Sequence, residues 1–430
     1  MAKDRLTKLY LALLYASVFS YLFYTVEAIR TKTQILWTYA SARINISAPG
    51  IYFVYIKDFL TIILFLALFQ KKGKITKPVV IFCGIIIYGI IILLVNDLNL
   101  NYIIAGFRAL LYFIVALMVA KEMVYDGDVA KTIERINRAV YICVIIESIV
   151  VAIQISISSA WMQIGTGGYR FCGTFGNAAA MGAFCISALF VMLVYSQKIC
   201  STSLFCIGCG LLCVFLSIAS GSRMSMMLTW ITFLAVLNDY LGKKVKIKKR
   251  DRIIFLLIVA IMVASPMYTY MIERTGRGEL MDSGSTRSDL LLSLLSDDSE
   301  PLSLIFGHGL GYGTNAAVNM EIKDSPVLDG TFTTILAQFG LIGLVSFFLL
   351  SIKIYAKLFR YNKDNLIVPT IALVDYSVMC ITINIFEQTA FNVIGVMMFF
   401  LFFFLTEELN KKNEFKYSGN FGKVHTQLKN

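Results

Sequence analysis

Apolar residues occur along the chain in blocks of roughly 17 to 22 residues that are hydrophobic on every face, the length that crosses a bilayer core as a helix. The blocks are residues 9–27, 51–69, 79–95, 102–120, 139–157, 177–196, 204–220, 224–241, 253–270, 331–352, 366–384 and 391–406. The pattern predicts an all-α polytopic membrane protein with about twelve transmembrane helices.

Composition narrows the class of protein further. Hydrophobic residues make up 58% of the 430 positions and charged residues 15%, whereas soluble domains carry about 25% charged residues. A chain with so little polar surface is not a soluble enzyme, a secreted disulfide scaffold or a disordered protein. We therefore expect the bilayer itself to be its main partner.

The distribution of basic residues predicts the orientation. The net charge is +12, but the lysines and arginines concentrate in alternate loops, which is the positive-inside pattern rather than a nucleic-acid-binding surface. Both termini are then cytoplasmic. The predicted organisation is a membrane region over 1–270, a large extracytoplasmic loop with short helices over 271–330, a second membrane region over 331–406 and a cytoplasmic tail over 407–430.

Three arginines, Arg170, Arg223 and Arg287, break this sidedness because they lie on the predicted outer face beside Gly, Ser or Thr. The planar guanidinium binds phosphate oxygens in pairs, so the three residues suggest a site for a diphosphate headgroup. Alternatively, each arginine reaches toward lipid phosphate or pairs with a carboxylate.

The large loop contains a capping box, Thr286-Arg287-Ser288-Asp289, followed by leucines, which predicts a short amphipathic helix from Arg287 to near Pro301. Arg287 would lie in its first turn, where free N–H groups already favour an anion. Neutralisation of Arg287 by Asp289 is the alternative.

Alternate glycines follow in the run from Gly307 to Gly313. Gly309 and Gly311 could adopt positive φ and let the backbone approach a ligand closely. The run is not a nucleotide-binding fingerprint, because no GK[ST] follows it. His308 is interpreted either as a solvated loop histidine or as a group for proton transfer or substrate hydrogen bonding.

Candidate carboxylates lie near the predicted outer surface. Asp329, where the loop re-enters the membrane, is interpreted as a general base, as a helix N-cap, or as both. Glu387 is a second candidate. Arg108, Glu147 and Asp375 lie inside predicted spans, where ion pairing and function are equally open.

Four stretches resemble, in order, the O-antigen polymerase and ligase superfamily of bacterial envelopes, of the Wzy type. The resemblance covers roughly residues 140–345, with motif order and sidedness as its basis. The stretches are Arg170 to Asn177, Ser220 to Arg223, Thr286 to Asp289 with Pro301 and Gly307 to Gly311, and Asp329 to Phe332 with Gln338 to Gly343.

The resemblance implies a GT-C-like membrane glycosyltransferase that polymerises oligosaccharide repeat units carried on undecaprenyl diphosphate, at the outer face of the bacterial cytoplasmic membrane. It implies no metal and no cofactor, because arginines can neutralise the leaving diphosphate. Candidate protein partners are a chain-length regulator and a flippase; nucleic acid is not expected. Asp329 and Arg287 are the predicted catalytic residues, and Arg170, Arg223, His308, Gly309 and Gly311 the predicted substrate-binding residues.

Two alternatives remain. A glycan ligase would transfer the same lipid-linked chains to another acceptor, but ligases of this superfamily usually carry a His-Asn pair where this chain has Asp329-Gly330. A transporter or flippase could also have twelve spans, but the sequence lacks repeat halves and has a long outer loop with its own predicted helix.

Overall fold

The computed structural model shows a largely helical chain. It describes residues 3–31, 48–72, 77–96, 98–126, 129–157, 161–162, 169–175, 177–199, 203–260, 301–315, 317, 322, 328, 330–363 and 365–411. Arg287 and Asp329, and with them the predicted capped helix, lie outside these residues. Their predicted roles stay predictions.

Six helices precede a short pair of strands. They are α1 Lys3–Val18, α2 Leu22–Thr31, α3 Ala48–Lys72, α4 Lys77–Val95, α5 Asn101–Asp126 and α6 Val129–Ser156. The strands β1 Trp161–Met162 and β2 Tyr169–Arg170 are antiparallel, with Trp161 opposite Arg170. This two-residue pairing places Arg170 at the end of the bundle where α6 ends.

The second half is also helical. Its elements are α7 Ala178–Lys198, α8 Leu204–Ser220, α9 Arg223–Lys243, α10 at 249–260, α11 Pro301–Phe306, α12 Thr331–Tyr361, α13 Ile367–Thr382 and α14 Phe391–Lys411. A 3-10 turn, Ile385–Glu387, precedes α14, whose first six residues, Phe391–Val396, form a π-helix.

Among the described residues, seven helices are long and apolar enough to cross a membrane. They are Arg5–Arg30, Asn101–Tyr125, Val129–Ser156, Ala178–Lys198, Arg223–Lys243, Thr331–Tyr361 and Phe391–Lys411, and three shorter apolar helices accompany them. The predicted class, a helical chain built for a membrane, is confirmed at this level. The total of twelve spans and the GT-C-like arrangement stay predictions.

Helix α7 forms the centre of the bundle. Almost every side chain on it is buried, and it packs against α6, α8, α9 and the π-helical start of α14. Small residues allow this: a Cβ placed on Gly182 would lie 2.5 Å from the Ser225 side chain of α9. Close backbone approach is the usual way that helices associate in a bilayer, where apolar burial contributes little.

Two apolar blocks that the sequence predicts as single spans are broken helices. The block at 9–27 divides between Val18 and Leu22 into α1 and α2. The block at 331–352 reaches Tyr361 and has non-helical backbone at Gly340, with φ 63° and ψ −164°. Hydropathy does not report such breaks, because the residues on both sides of each one are equally apolar.

Candidate functional site

The turn between α8 and α9 is built by Gly221 and its serine neighbours. Gly221 ends α8 in the left-handed region at φ 60°, which glycine adopts without strain, and donates its N–H to Ile218 O at 2.9 Å. Ser222 precedes α9, and its hydroxyl lies 2.9 Å from that of Ser225. Arg223 is therefore the first residue of a 21-residue helix.

Arg170 reaches the same turn from the loop before α7. Its Nε donates to Ser220 O at 2.8 Å, and the next N–H, that of Phe171, donates to Ala219 O at 3.0 Å. Arg170 and Arg223 are both partly exposed. We call residues 170–175 together with 219–223 the arginine turn. The structure thus brings two of the three predicted phosphate-binding arginines to one place.

The loop that carries Arg170 is buried from Cys172 to Phe175 and is held by side chains of α6. Gln154 exchanges two hydrogen bonds with the Gly173 backbone, at 3.1 and 3.2 Å. Glu147, fully buried, accepts the Thr174 N–H at 2.9 Å and also the Thr174 hydroxyl. The predicted intramembrane carboxylate Glu147 is therefore a positioning residue for the arginine turn.

Thr174 also closes the break between α1 and α2. Its hydroxyl lies 3.0 Å from Val18 O, and its own carbonyl accepts the Tyr21 N–H at 3.1 Å. A break in a membrane helix leaves backbone groups that must find partners inside the protein. The single hydroxyl proton of Thr174 is shared between Val18 O and Glu147, and its carbonyl accepts the Tyr21 N–H, which ties the arginine turn to the first predicted span.

We call residues Gly307–Gly313 the glycine segment; it lies against α4, α5 and α12. Its glycines at 307, 309, 311 and 313 all have positive φ. The His308 N–H donates to Ala337 O at 2.8 Å, the Gly309 N–H to Gln338 O at 3.0 Å, and the Leu310 N–H to Gly89 O at 3.1 Å. The backbone of this segment is thus bonded to two helices.

The space beside these glycines is filled by helix backbone. A Cβ on Gly309 would lie 2.6 Å from Leu93 N, and one on Gly311 would collide with Tyr102 O. Both residues are predicted to bind substrate by close backbone approach. The close approach that the structure shows is to α4 and α5, so their conformational freedom already has a packing explanation.

His308 lies on the glycine segment with its ring stacked on Tyr312, at 4.4 Å between ring centroids and 29° between the planes. Tyr312 in turn contacts Tyr102 of α5, at 5.8 Å. His308 is partly exposed. The ring stack holds the imidazole near the start of α5.

Glu387 links the residues that follow the glycine segment to the last turn before α14. Its Oε2 accepts from Asn315 Nδ2 at 2.7 Å and from Asn384 Nδ2 at 3.2 Å. The other predicted membrane carboxylate, Asp375, is fully buried and accepts the Thr232 hydroxyl at 2.9 Å through Oδ2. Of these two acidic residues, Glu387 is the one partly exposed.

A further group of charged side chains lies between the two regions, on α3 and α5. Asp58 Oδ1 accepts from Arg108 Nε at 3.0 Å and from the Tyr112 hydroxyl. Lys57 Nζ lies 5.6 Å from the centre of the Tyr21 ring. We call Tyr21, Lys57, Asp58, Arg108 and Tyr112 the charged cluster. Of the two outcomes open for Arg108, the structure shows ion pairing.

Sequence reasoning singled out Arg108 but missed Lys57 and Asp58. A signal was present, since two adjacent charged residues interrupt the apolar block at 51–69, and charge within a span is costly. The buried positions of α3 recur as Lys57, Thr61, Leu64 and Leu68, so Lys57 faces the bundle rather than lipid. That spacing was readable from the sequence.

Among the described residues, no group of three or more His, Cys, Asp or Glu side chains is placed to hold a metal ion. A scan of the chain against protein-family models gives no match, and a search of the curated proteins gives none either.

Proposed function

We propose that this protein is a membrane glycosyltransferase that polymerises oligosaccharide repeat units carried on a polyprenyl diphosphate, undecaprenyl diphosphate in bacteria. The growing chain is transferred from its lipid diphosphate to the end of a fresh lipid-linked unit. The reaction takes place at the outer face of the cytoplasmic membrane, with both termini cytoplasmic, and serves O-antigen, capsule or exopolysaccharide synthesis.

The observation that carries the proposal is the meeting of Arg170 and Arg223 at the arginine turn. Arg170 bonds the carbonyl of Ser220, three residues before Arg223, and Arg223 begins α9, so two arginines converge on one helix N-terminus, which suits a diphosphate leaving group. The buried loop behind Arg170 holds that residue in place through Glu147 and Gln154. Such preorganisation is what stabilisation of a developing charge requires.

In this proposal Arg170, Arg223 and Arg287 hold the donor diphosphate, and Asp329 accepts the proton of the acceptor hydroxyl. Glu387 is the alternative base, since it is partly exposed and lies beside the glycine segment. The new glycosidic bond forms as the bond from the sugar to the diphosphate breaks. The lipid diphosphate departs with its electron pair, so the step needs neither nucleotide nor redox partner.

The test is a gel of surface polysaccharide from a strain that lacks this gene and is complemented with wild type, Arg223→Ala, Arg223→Lys or Arg138→Ala. Arg138 is the matched control, since its side chain is 73% exposed and pairs with Glu134 on α6. Wild type should give a ladder of polysaccharide bands of increasing length. We expect Arg223→Ala, at the same protein level, to give a single-repeat band instead. Arg223→Lys should retain part of it, because lysine keeps the charge but loses the paired donors.

The same gel separates the alternatives. A ladder that is unchanged in the deletion strain would overturn the polymerase proposal. Long glycans accumulating on the lipid carrier would identify a ligase, whereas single lipid-linked units are expected of a polymerase knockout. Equal ladders from Arg223→Ala and Arg138→Ala would remove the arginine turn from the site.

A further inference from the structure

Lys57 is a buried cation with no hydrogen-bonded or ion-paired anion among the described residues. Only 6% of its surface is exposed, and its described contact is with the face of Tyr21, 5.6 Å from Nζ to the ring centre. Within the described residues its ammonium group has no hydrogen bond and no ion pair. A lysine buried in a membrane protein without such partners is costly, and such residues commonly mark a ligand pathway.

The adjacent carboxylate is already engaged elsewhere. Asp58 Oδ1 accepts from Arg108 Nε at 3.0 Å and from the Tyr112 hydroxyl, while Lys57 lies close enough to Asp58 and Arg108 to interact with both charges. Two cations therefore face one carboxylate. The charged cluster keeps one uncompensated positive charge, and an anion is the ligand that would neutralise it.

The cluster lies in the N-terminal halves of α3 and α5. Lys57 is nine residues from the start of α3 and Arg108 seven from the start of α5, which correspond to roughly 14 and 10 Å along the helix axes. Tyr21, beneath Lys57, donates its N–H to Thr174 O of the arginine turn. The charged cluster is therefore hydrogen-bonded directly to the arginine turn.

We infer that Lys57 and Arg108, held beside Tyr21 and Asp58, form a second phosphate-binding site, which takes the diphosphate of the second lipid-linked substrate. The assignment to that substrate rests on the proposed function: two lipid diphosphates take part in the reaction, and the arginine turn accommodates one. Lysine suits this role as a compact charge, and Arg108 can use donors beyond the Nε that bonds Asp58.

The experiment counts bound lipids on the full-length protein by native mass spectrometry after release from phosphatidylcholine nanodiscs supplied with undecaprenyl diphosphate. The variants are Lys57→Met, Lys57→Arg and Lys198→Met. Lys198 is the matched control because its Nζ also lies over an aromatic ring, Phe402 at 5.2 Å, but bonds Asn362 at the opposite end of α7 from the arginine turn. Thermal unfolding of each variant reports whether it is folded.

We expect wild type and Lys198→Met to retain two undecaprenyl diphosphate molecules and Lys57→Met to retain one, with roughly tenfold weaker binding at the affected site, as loss of one charge-assisted bond implies. Lys57→Arg should restore the second molecule. Equal retention by folded Lys57→Met and Lys198→Met would overturn the site.

Competitors identify the source of the phosphate. Displacement of the second molecule by phosphatidylglycerol or inorganic pyrophosphate at equal concentration would overturn its assignment to a polyprenyl substrate; resistance to both would support it. Because the count needs no polymer synthesis, it is independent of the gel. If the deletion strain loses its ladder but Lys57→Met still retains two lipids, the polymerase proposal stands and this phosphate site is overturned. If the deletion strain keeps its ladder but Lys57→Met retains one lipid, the phosphate site stands and the polymerase proposal is overturned.

Discussion

The arginine turn and the glycine segment are held in place by opposite means. Side chains position the arginine turn: Glu147, Gln154 and Thr174 bond a backbone that would otherwise be unpaired inside the bundle. Backbone N–H groups bonded to α4 and α12, with glycines that leave no room for a Cβ, are the main supports of the glycine segment, and Asn96 Nδ2 adds a bond to Gly307 O at 3.1 Å. The comparison shows that a glycine run can signal close approach to the protein itself rather than to a ligand.

The largest effect that separates the two regions is expected at Gly311. An alanine there would adopt positive φ, at 87°, and its Cβ would collide with Tyr102 O, so we expect Gly311→Ala to lose about 2 to 5 kcal/mol of stability. Thermal unfolding in detergent measures the loss. The control is Gly84→Ala on α4, where nothing lies within 4 Å of the new methyl group and stability should be unchanged or slightly higher.

If Gly311 instead contacts substrate and contributes little to stability, the two measurements give a different result. Gly311→Ala would then unfold at the same temperature as Gly84→Ala and lose polymer synthesis alone. That result would restore the ligand-binding interpretation of the glycine segment.

A smaller effect is expected at Thr174. Thr174→Val keeps the shape but removes the hydroxyl that bonds Val18 O and Glu147, which leaves buried polar groups without a partner. We expect a loss of about 1 to 3 kcal/mol. Hydrogen exchange should rise at Tyr21 and along the loop of the arginine turn. Thr174→Ser retains the hydroxyl and serves as the control; equal destabilisation of both variants would assign the effect to the methyl group.

The smallest effect is expected at His308. Its stack on Tyr312 contributes about 0.5 to 1.5 kcal/mol, which His308→Ala should lose and His308→Phe should keep. Because phenylalanine can reproduce the ring stack on Tyr312, we expect His308→Phe to retain the polysaccharide ladder. A ladder lost in His308→Phe at unchanged stability would instead identify proton transfer, since removal of a general acid or base typically costs about 100-fold or more.

Much of the helical framework could be predicted from the sequence. The block at 204–220 coincides with α8, Leu204–Ser220, and the block at 177–196 with α7, Ala178–Lys198, because each apolar run begins at an N-capping residue, Ser203 or Asn177. Breaks could not be predicted in this way. The division at 19–21 depends on Thr174, a partner far along the chain.

In the candidate site, too, single residues could be predicted from the sequence, but their contacts could not. Arg170 and Arg223 could be selected one by one, because arginine on the predicted outer face is conspicuous. Their meeting at Ser220 depends on a carbonyl at the end of α8, which carries no sequence signal. For Gly309 and Gly311 the positive φ that the sequence allows is observed. The atoms that approach these glycines closely were not predicted: they belong to α4 and α5.

The bridge from Thr174 to the break between α1 and α2 has a consequence for synthesis of the chain. Val18 and Thr174 are 156 residues apart, so at about 5 to 20 residues per second the ribosome needs roughly 8 to 30 s to deliver the partner after the break has been made. During that interval the first span waits in the translocon or bilayer with a carbonyl and an N–H unmatched. The break between α1 and α2 is therefore completed only after α6 and the loop that follows it have been made, and a ribosome stalled before residue 174 would leave the first span as a substrate for membrane quality control.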